Sequence, residues 1–306
     1  MHDKQLSRRT FLRQSSTVLA GAALSNALST RVNAGEDCAG EKTPWPLRLS
    51  TSTVQFSSLS VEKACERIAA LGFAAVDFWH AGFGCPHLDE IEKRLGPEGL
   101  KDLLAKTNLN LYAFTCYNVG ANAGYPRFAE ILGKAGGGVA VREARYGKIK
   151  SLTAEMKALL EQLKPQLELA EKYNSRIAIE NHADSLLNSR DSFKAFVELN
   201  RNPRLGIALA PYHLQAAGIS VEEVIGIAGK QLLFFYAWQH AEGLKQLPGI
   251  GQADFAPWLA ALARAGYAEY VNPFMHGHPG PDEIAKGLAT ARDYLVRCHR
   301  KAVATS

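Results

Sequence analysis

Nine histidines are scattered through the chain, and six of them close short apolar runs: His80 after "AAVDFW", His182 after "RIAIEN", His213, His240, and the pair His276 and His278. Imidazole is the side chain whose unperturbed pKa lies nearest neutrality, so it can bind a transition metal or move a proton. Any one of these histidines reads most simply as a hydrogen-bonded loop residue. Their recurrence at the ends of apolar runs is the signal. The same ends carry Trp79, then Cys116, Tyr117 and Asn118, then Arg142, Glu143 and Arg145, then Glu180 and Asn181, then Tyr212, and then Trp238 and Gln239.

Glu180 is the sharpest of these residues. In "RIAIENH" (176–182), strand alternation puts Ala178, Glu180 and His182 on one face and Ile177 and Ile179 on the other. With the isoleucines packed against helices, Glu180 faces an interior where a lone carboxylate is costly and must be offset by a metal, a cation or a proton. A glutamate with two or three histidines suits Mn, Zn, Fe or Co. The candidate metal set is therefore Glu180, His182, His213, His240 and His276, with Glu180 and His213 also the candidate catalytic groups. In "GIALAPYHL" (206–214) the apolar strand ends at Pro211, which cannot donate to a ladder, so Tyr212 and His213 are expected where the strand opens into a loop.

The elements that must position these residues follow from periodicity. Strand-like runs occupy 47–54, 74–79, 109–116, 138–144, 176–182, 204–210, 232–240 and 268–274. Amphipathic stretches separate them, such as "SVEKACERIAALG", where Val61, Ala64, Ile68 and Leu71 fall at helical spacing. Pro165 is expected to kink or split the longest one, 151–174. Strand then helix, eight times over, is the rhythm of a (β/α)8 TIM barrel, whose active site gathers at the C-terminal strand ends. A doubly wound sheet would want a glycine-rich turn after its first strand. Here "GKAGGG" (133–138) instead precedes a strand, so it reads as a helix-to-strand loop and no nucleotide cofactor is expected.

Composition narrows the class further. With 47% hydrophobic and 21% charged residues the chain is globular, and part of its formal charge of +5 comes from Lys4, Arg8, Arg9, Arg13 and Arg31. The remainder is near neutral, which argues against nucleic acid as a partner. Five scattered cysteines describe neither a disulfide framework nor a zinc cage. "SRRTFL", then "SSTVLAGAALSNALS" and "RVNAG", read as the charged, apolar and cleavage regions of a signal peptide ending near Ala34. The apolar run is too short and too polar to imply stable membrane insertion. Paired arginines before Thr-Phe-Leu resemble a twin-arginine (Tat) signal, the simpler alternative being a surface amphipathic helix. The expected organisation is a signal peptide over 1–34, a linker over 35–46, a single barrel domain over 47–300 and a tail over 301–306. The expected location is exported, periplasmic or extracellular, with the twin-arginine machinery as a partner. A homo-oligomer is compatible with the sequence.

Over most of residues 47–300 the chain resembles the xylose-isomerase-like TIM barrels, the sugar isomerase and epimerase superfamily. The resemblance rests on "IAIENH", the Gly-x-x-Leu-x-Pro-Tyr-His run, "LPGIGQADF" and "RAGYAEYV" in that order. It implies a divalent metal held by a strand-five Glu, a strand-six Asp three residues before a His, a strand-seven His and a strand-eight Glu. Glu180 and His213 keep their places. Ala210 stands where the Asp belongs, the strand-seven His falls at Tyr236 or Trp238 rather than His240, and the last Glu falls near Pro273 or Phe274. The resemblance implies isomerisation, epimerisation or elimination on a small-molecule carbohydrate. Trp79, Tyr117, Tyr212 and Trp238 would offer flat faces to the sugar, alongside His80 and Asn181, with Arg142 or Arg145 steadying an anion. For the aromatics, packing at the core or rim is the plainer role. The alternative is a non-catalytic carbohydrate-binding protein on a degenerate isomerase barrel. An abasic-site type endonuclease would need a larger ligand set and a basic groove.

Overall fold

In the computed structural model, which describes residues 45–117, 124–144, 149–277 and 279–304, the eight apolar runs become eight parallel strands in sequential order. The expected signal peptide lies outside these residues, as do Asn118, Arg145 and His278. Strand β1 (Ser50–Ser52) is followed by α1 (Val61–Ala70), then β2 (Ala75–Trp79), α2 (His87–Glu90), α3 (Gly96–Thr107), β3 (Asn110–Thr115), α4 (Tyr125–Lys134) and β4 (Val139–Glu143). The second half continues with α5 (Leu152–Lys172), β5 (Arg176–Glu180), α6 (Arg190–Leu199), β6 (Leu205–Leu209), α7 (Pro211–Ala216), α8 (Val221–Ala228), β7 (Leu232–Ala237), α9 (Ala256–Arg264), β8 (Val271–Pro273) and α10 (Pro281–Ala304). A parallel bridge between Leu49 and Val271, with Val271 N donating to Arg48 O at 2.8 Å, joins the first and last strands. The result is a (β/α)8 barrel.

Alternation sorts the strands into two cores. Val76, Phe78, Ile177, Ile179, Ile207 and Leu209 face the helices, while Ala75, Trp79, Val139, Val141, Ala178, Ala208 and Phe234 fill the barrel. Helix α1 shows why local sequence suffices for the outer layer. Ser60 accepts a hydrogen bond from Lys63 N at its start, and Val61, Ala64, Cys65 and Ile68 form its buried stripe. Inside the barrel, Tyr112 stacks on Phe234 (4.7 Å, 7°) below a polar layer of Ser50, Ser52, Asp77, Thr115 and Asn272.

Two local expectations are corrected. Pro165 does not split α5, which runs unbroken for 21 residues. The proline and Glu161, whose carbonyl loses its helical donor, are both exposed and water can serve that carbonyl, while Leu159, Leu163 and Leu167 keep the buried stripe in register. After β6 the chain does not open into a loop. Pro211 is the first residue of α7, because its fixed φ suits a helix start and its missing N–H is not needed there. Tyr212 and His213 are therefore held on a rigid turn immediately above the strand.

Candidate active site

Glu180 ends β5 on the inward face, only 6% exposed. Its Oε2 accepts a hydrogen bond from the Tyr117 hydroxyl, which comes from the end of β3. Burial raises the Glu180 pKa well above the ordinary carboxylate value, and the negative charge of Asp77 raises it further. Asp77 lies on β2, fully buried. Its Oδ2 accepts from Ser52 Oγ (2.6 Å) and Trp79 Nε1 (2.7 Å), and its Oδ1 from Thr115 Oγ1 (2.9 Å). Desolvation lifts its pKa to about 7, against the opposing pull of these donors. Thr115 lies 3.3 Å from the Tyr236 hydroxyl, extending the network to β7. Asp77 is the residue that the pattern of strand ends misses, since it sits inside a strand. Its signal was a lone charge between Ala75 and Trp79 in a run apolar on both faces.

Around these carboxyls the barrel mouth is walled with rings. Trp79 stacks on Phe274 (5.4 Å, 18°), Trp238 meets Phe274 edge-on (5.2 Å, 79°), and Tyr212 stacks on Trp238 (4.3 Å, 14°). Trp79 and Trp238 are buried, while Tyr117 and Tyr212 are partly exposed. Gln246, on the loop after β7, fixes this wall. Its Oε1 accepts from Trp238 Nε1 (2.6 Å) and His276 N (3.0 Å), and its Nε2 donates to the His276 carbonyl (2.9 Å). Nothing in the sequence singled it out, because its role exists only once the loop lies across the mouth.

The histidines gather at one side of the rim. The rings of His213 and His182 lie 4.0 Å apart, and His182 Nδ1 contacts Asp184 Oδ1. Burial, reinforced by His182, His276 and His240, depresses the His213 pKa to about 3, so its imidazole is neutral, and its Nε2 is buried without a hydrogen-bond partner. His182 and His213, with Asn181, Asn188 and Leu214, line a cavity of about 320 Å³ beside the strand ends. His240 is exposed and edge-on to Tyr212, and His276, also exposed, packs against Trp238 and Phe274.

Two expected substrate contacts face elsewhere, and a third, Asn181, lines the cavity with its amide already engaged. His80 follows the inward Trp79 and so points outward, between Phe83 and Phe128, with Nδ1 accepting from Gly82 N (3.2 Å) to cap the following turn. Arg142 lies between the inward Val141 and Glu143, and its guanidinium reaches Gln166 on α5 (2.7 Å) and the Glu143 carbonyl (3.1 Å) rather than the mouth. Asn181 spends its amide on the backbone of Ala210, accepting from its N–H (2.6 Å) and donating to its carbonyl (3.1 Å). That pair of bonds ties the ends of β5 and β6 together.

The expected metal set is also not assembled. Among the described residues no three His, Cys, Asp or Glu side chains are placed to hold a metal ion. His182 and His213 lie past the strand ends beside the outer cavity, while His240 and His276 are turned onto aromatic rings. Ala210, Tyr236, Trp238 and Phe274, at the positions where the resemblance wants ligands, are all buried and offer no carboxylate or imidazole. The residues present do not fit the metal.

A (β/α)8 barrel with an inward carboxyl at the end of its fifth strand defines the class. A family model described as "Xylose isomerase-like TIM barrel" matches residues 65–295, and the chain belongs to that family. Solved structures with the same fold include 3-keto-D-glucoside 4-epimerase, YcjR, from E. coli. It is 16% identical with a TM-score of 0.64, over 81% of this chain and 100% of that one. An IOLI protein with a bound zinc atom is 18% identical, TM-score 0.66, over 84% and 99%. A D-psicose 3-epimerase in the presence of D-fructose is 15% identical, TM-score 0.61, over 85% and 98%. No curated protein matches the chain. None of the helices among the described residues is long and apolar enough to cross a membrane.

Proposed function

We propose that this protein acts on a carbohydrate or sugar derivative at the C-terminal mouth of its barrel, moving a proton at a carbon next to a carbonyl, with Glu180 taking and returning it. The observation that carries this reading is the setting of Glu180, an inward carboxyl at the strand end, buried and bonded by the Tyr117 hydroxyl. A carboxyl whose pKa burial has raised is a stronger base when ionised and holds a proton it can return when protonated. In the step, the C–H bond breaks, its electron pair moves into the carbonyl to give an enediolate, and the proton rests on Glu180. Hydrogen-bond donors aimed at the developing oxyanion lower the barrier, and the single proton of the Tyr117 hydroxyl, given to the Glu180 carboxylate at rest, is freed to turn to that oxyanion once Glu180 has taken the substrate proton. Glu180 alone can remove a proton from one carbon and return it to the same face of its neighbour. That arrangement suits transfer between neighbouring carbons, whereas inversion of a centre needs a second proton donor opposite. The sugar-acting epimerases that share the fold support the substrate class. The "SRRTFL" segment supports export through the twin-arginine route to the periplasm or beyond.

The test is proton exchange. Candidate aldoses, ketoses and keto-sugars incubated with the protein in deuterated water are followed by NMR. Loss of a carbon-bound proton signal that Glu180→Gln abolishes is expected. The second reading, carbohydrate binding without catalysis, is favoured by the aromatic wall of Trp79, Phe274, Trp238 and Tyr212. Saturable sugar binding with no exchange would establish it and sink the first.

A further inference from the structure

We infer that the buried carboxyls of Asp77 and Glu180 are offset by hydrogen-bond donors of the chain itself, so that the chemistry at the barrel mouth runs without a bound metal. The inference deepens the proton-transfer reading and rests on it. A metal in such a mouth does two things: it compensates the buried carboxylates and it supplies a Lewis acid. The first task falls here to donors of the chain together with a proton that burial keeps on the carboxyls. Asp77 receives hydrogen bonds from Ser52, Trp79 and Thr115, and Ser52 is itself set as a donor because Asn272 Nδ2 occupies its acceptor side at 2.9 Å. Glu180 receives the Tyr117 hydroxyl. Every donor is a neutral side chain fixed by a strand or strand end, and none of them is a metal ligand of ordinary strength.

The space a metal would take is also accounted for. Divalent ions of this kind bind nitrogen or oxygen ligands about 2.0–2.2 Å away and keep three or four of them. Apart from Glu143, which ends β4 in register with Glu180, the large inward side chains at this level are Trp79, Tyr236 and Trp238, each in ring contact with Phe274 at 5.1–5.4 Å. Ala210, with its 0% exposure and no polar side chain, completes the wall. Asn272, the remaining inward polar group on β8, has both amide atoms engaged with Ser50 and Ser52. Replacing ligands by large rings closes the coordination sphere rather than merely thinning it.

The experiment uses the protein purified without added metal. Its metal content is measured by mass spectrometry, and its Tm is followed with Mn²⁺, Co²⁺ or Zn²⁺ and after dialysis against EDTA. The expected result is a substoichiometric metal content and a Tm unmoved by any of these. A resident metal at 100 times its Kd would raise Tm by about 5–10 °C in a domain of this size. One equivalent of metal, or a rise of that order, lost in Glu180→Gln would overturn the inference. Metal retained by Glu180→Gln sits on surface histidines and leaves it standing. Proton exchange on the EDTA-treated sample separates the two readings. Exchange without metal upholds both. Exchange lost on EDTA and restored by metal overturns the inference alone. Absence of both metal and exchange sinks proton transfer and leaves the compensation of the carboxyls intact.

Discussion

Asp77→Asn removes the charge at the centre of the barrel while keeping its shape. The asparagine carbonyl can accept from Ser52 and Trp79 where Oδ2 now does, and its amide can donate to Thr115 Oγ1, now 2.9 Å from Oδ1. Burial moves the Asp77 carboxyl from 3.8 to about 7. Such a shift corresponds to about 4 kcal/mol of penalty on the charged form. The sign follows from proton counting. Between pH 4 and 7 the unfolded chain has released this proton and the native chain still holds it, so native stability falls as pH rises through that window and levels off above it. Glu180, raised by burial and by Asp77, acts in the same direction. His213 acts in the opposite one, because its pKa is depressed from 6.5 to about 3 and the unfolded chain binds the extra proton. The raw stability curve therefore mixes opposing slopes, and the difference between wild type and variant cancels His213 and reports the Asp77 carboxyl together with its coupling to Glu180. Urea denaturation followed by tryptophan fluorescence from pH 4 to 8 measures it. Relative to wild type, Asp77→Asn is expected to gain stability by up to about 4 kcal/mol across pH 4–7, with most of the gain present by pH 7. A difference that stays constant with pH would refute the account of a buried, proton-holding carboxyl.

Other perturbations test neighbouring features. Asn181→Ala strips the Ala210 backbone of two buried hydrogen bonds and is expected to cost about 2 kcal/mol in chemical denaturation, so a loss within error would show that the β5–β6 clamp is dispensable. Gly251→Ala would place a Cβ 2.2 Å from the Lys245 carbonyl and 2.5 Å from Gln239, which is itself bonded to Leu247 and Ala253 and cannot retreat. A cost of about 1–3 kcal/mol, read as a lower Tm, is expected, and an unchanged Tm would mean that the turn yields freely. The twin-arginine reading predicts that Arg8→Lys combined with Arg9→Lys leaves unprocessed protein in the cytoplasm on fractionation, and normal export of that variant would remove it.

Much of the scaffold was legible because it is local. All eight strands and the amphipathic helices follow from spacing and caps, and the alternation in "RIAIE" correctly turns Glu180 inward against Ile177 and Ile179. The same rule, applied to β4 and β2, would have turned Arg142 and His80 outward. Their types suggested chemistry, but their parity placed them against helices. Pro211 reads locally as a strand breaker and structurally as a helix start, since a proline satisfies both conditions and only the geometry after β6 chooses between them.

By itself the sequence determined the barrel, the inward face of Glu180 and the loss of ligand-type residues at Ala210 and the ends of β7 and β8. Only the tertiary structure decided what stands in their place. Asp77, Ser52, Thr115 and Tyr117 belong to three strands and a strand end, and they converge because the sheet closes on itself. Gln246 reaches Trp238 and His276 only because a loop lies over the mouth. Of the described rim histidines, His182 and His213 pair with each other while His240 and His276 are drawn onto aromatic rings, so they share no common centre. Periodicity reports which face a side chain occupies, whereas convergence depends on distances between residues far apart in the chain, and those exist only after closure.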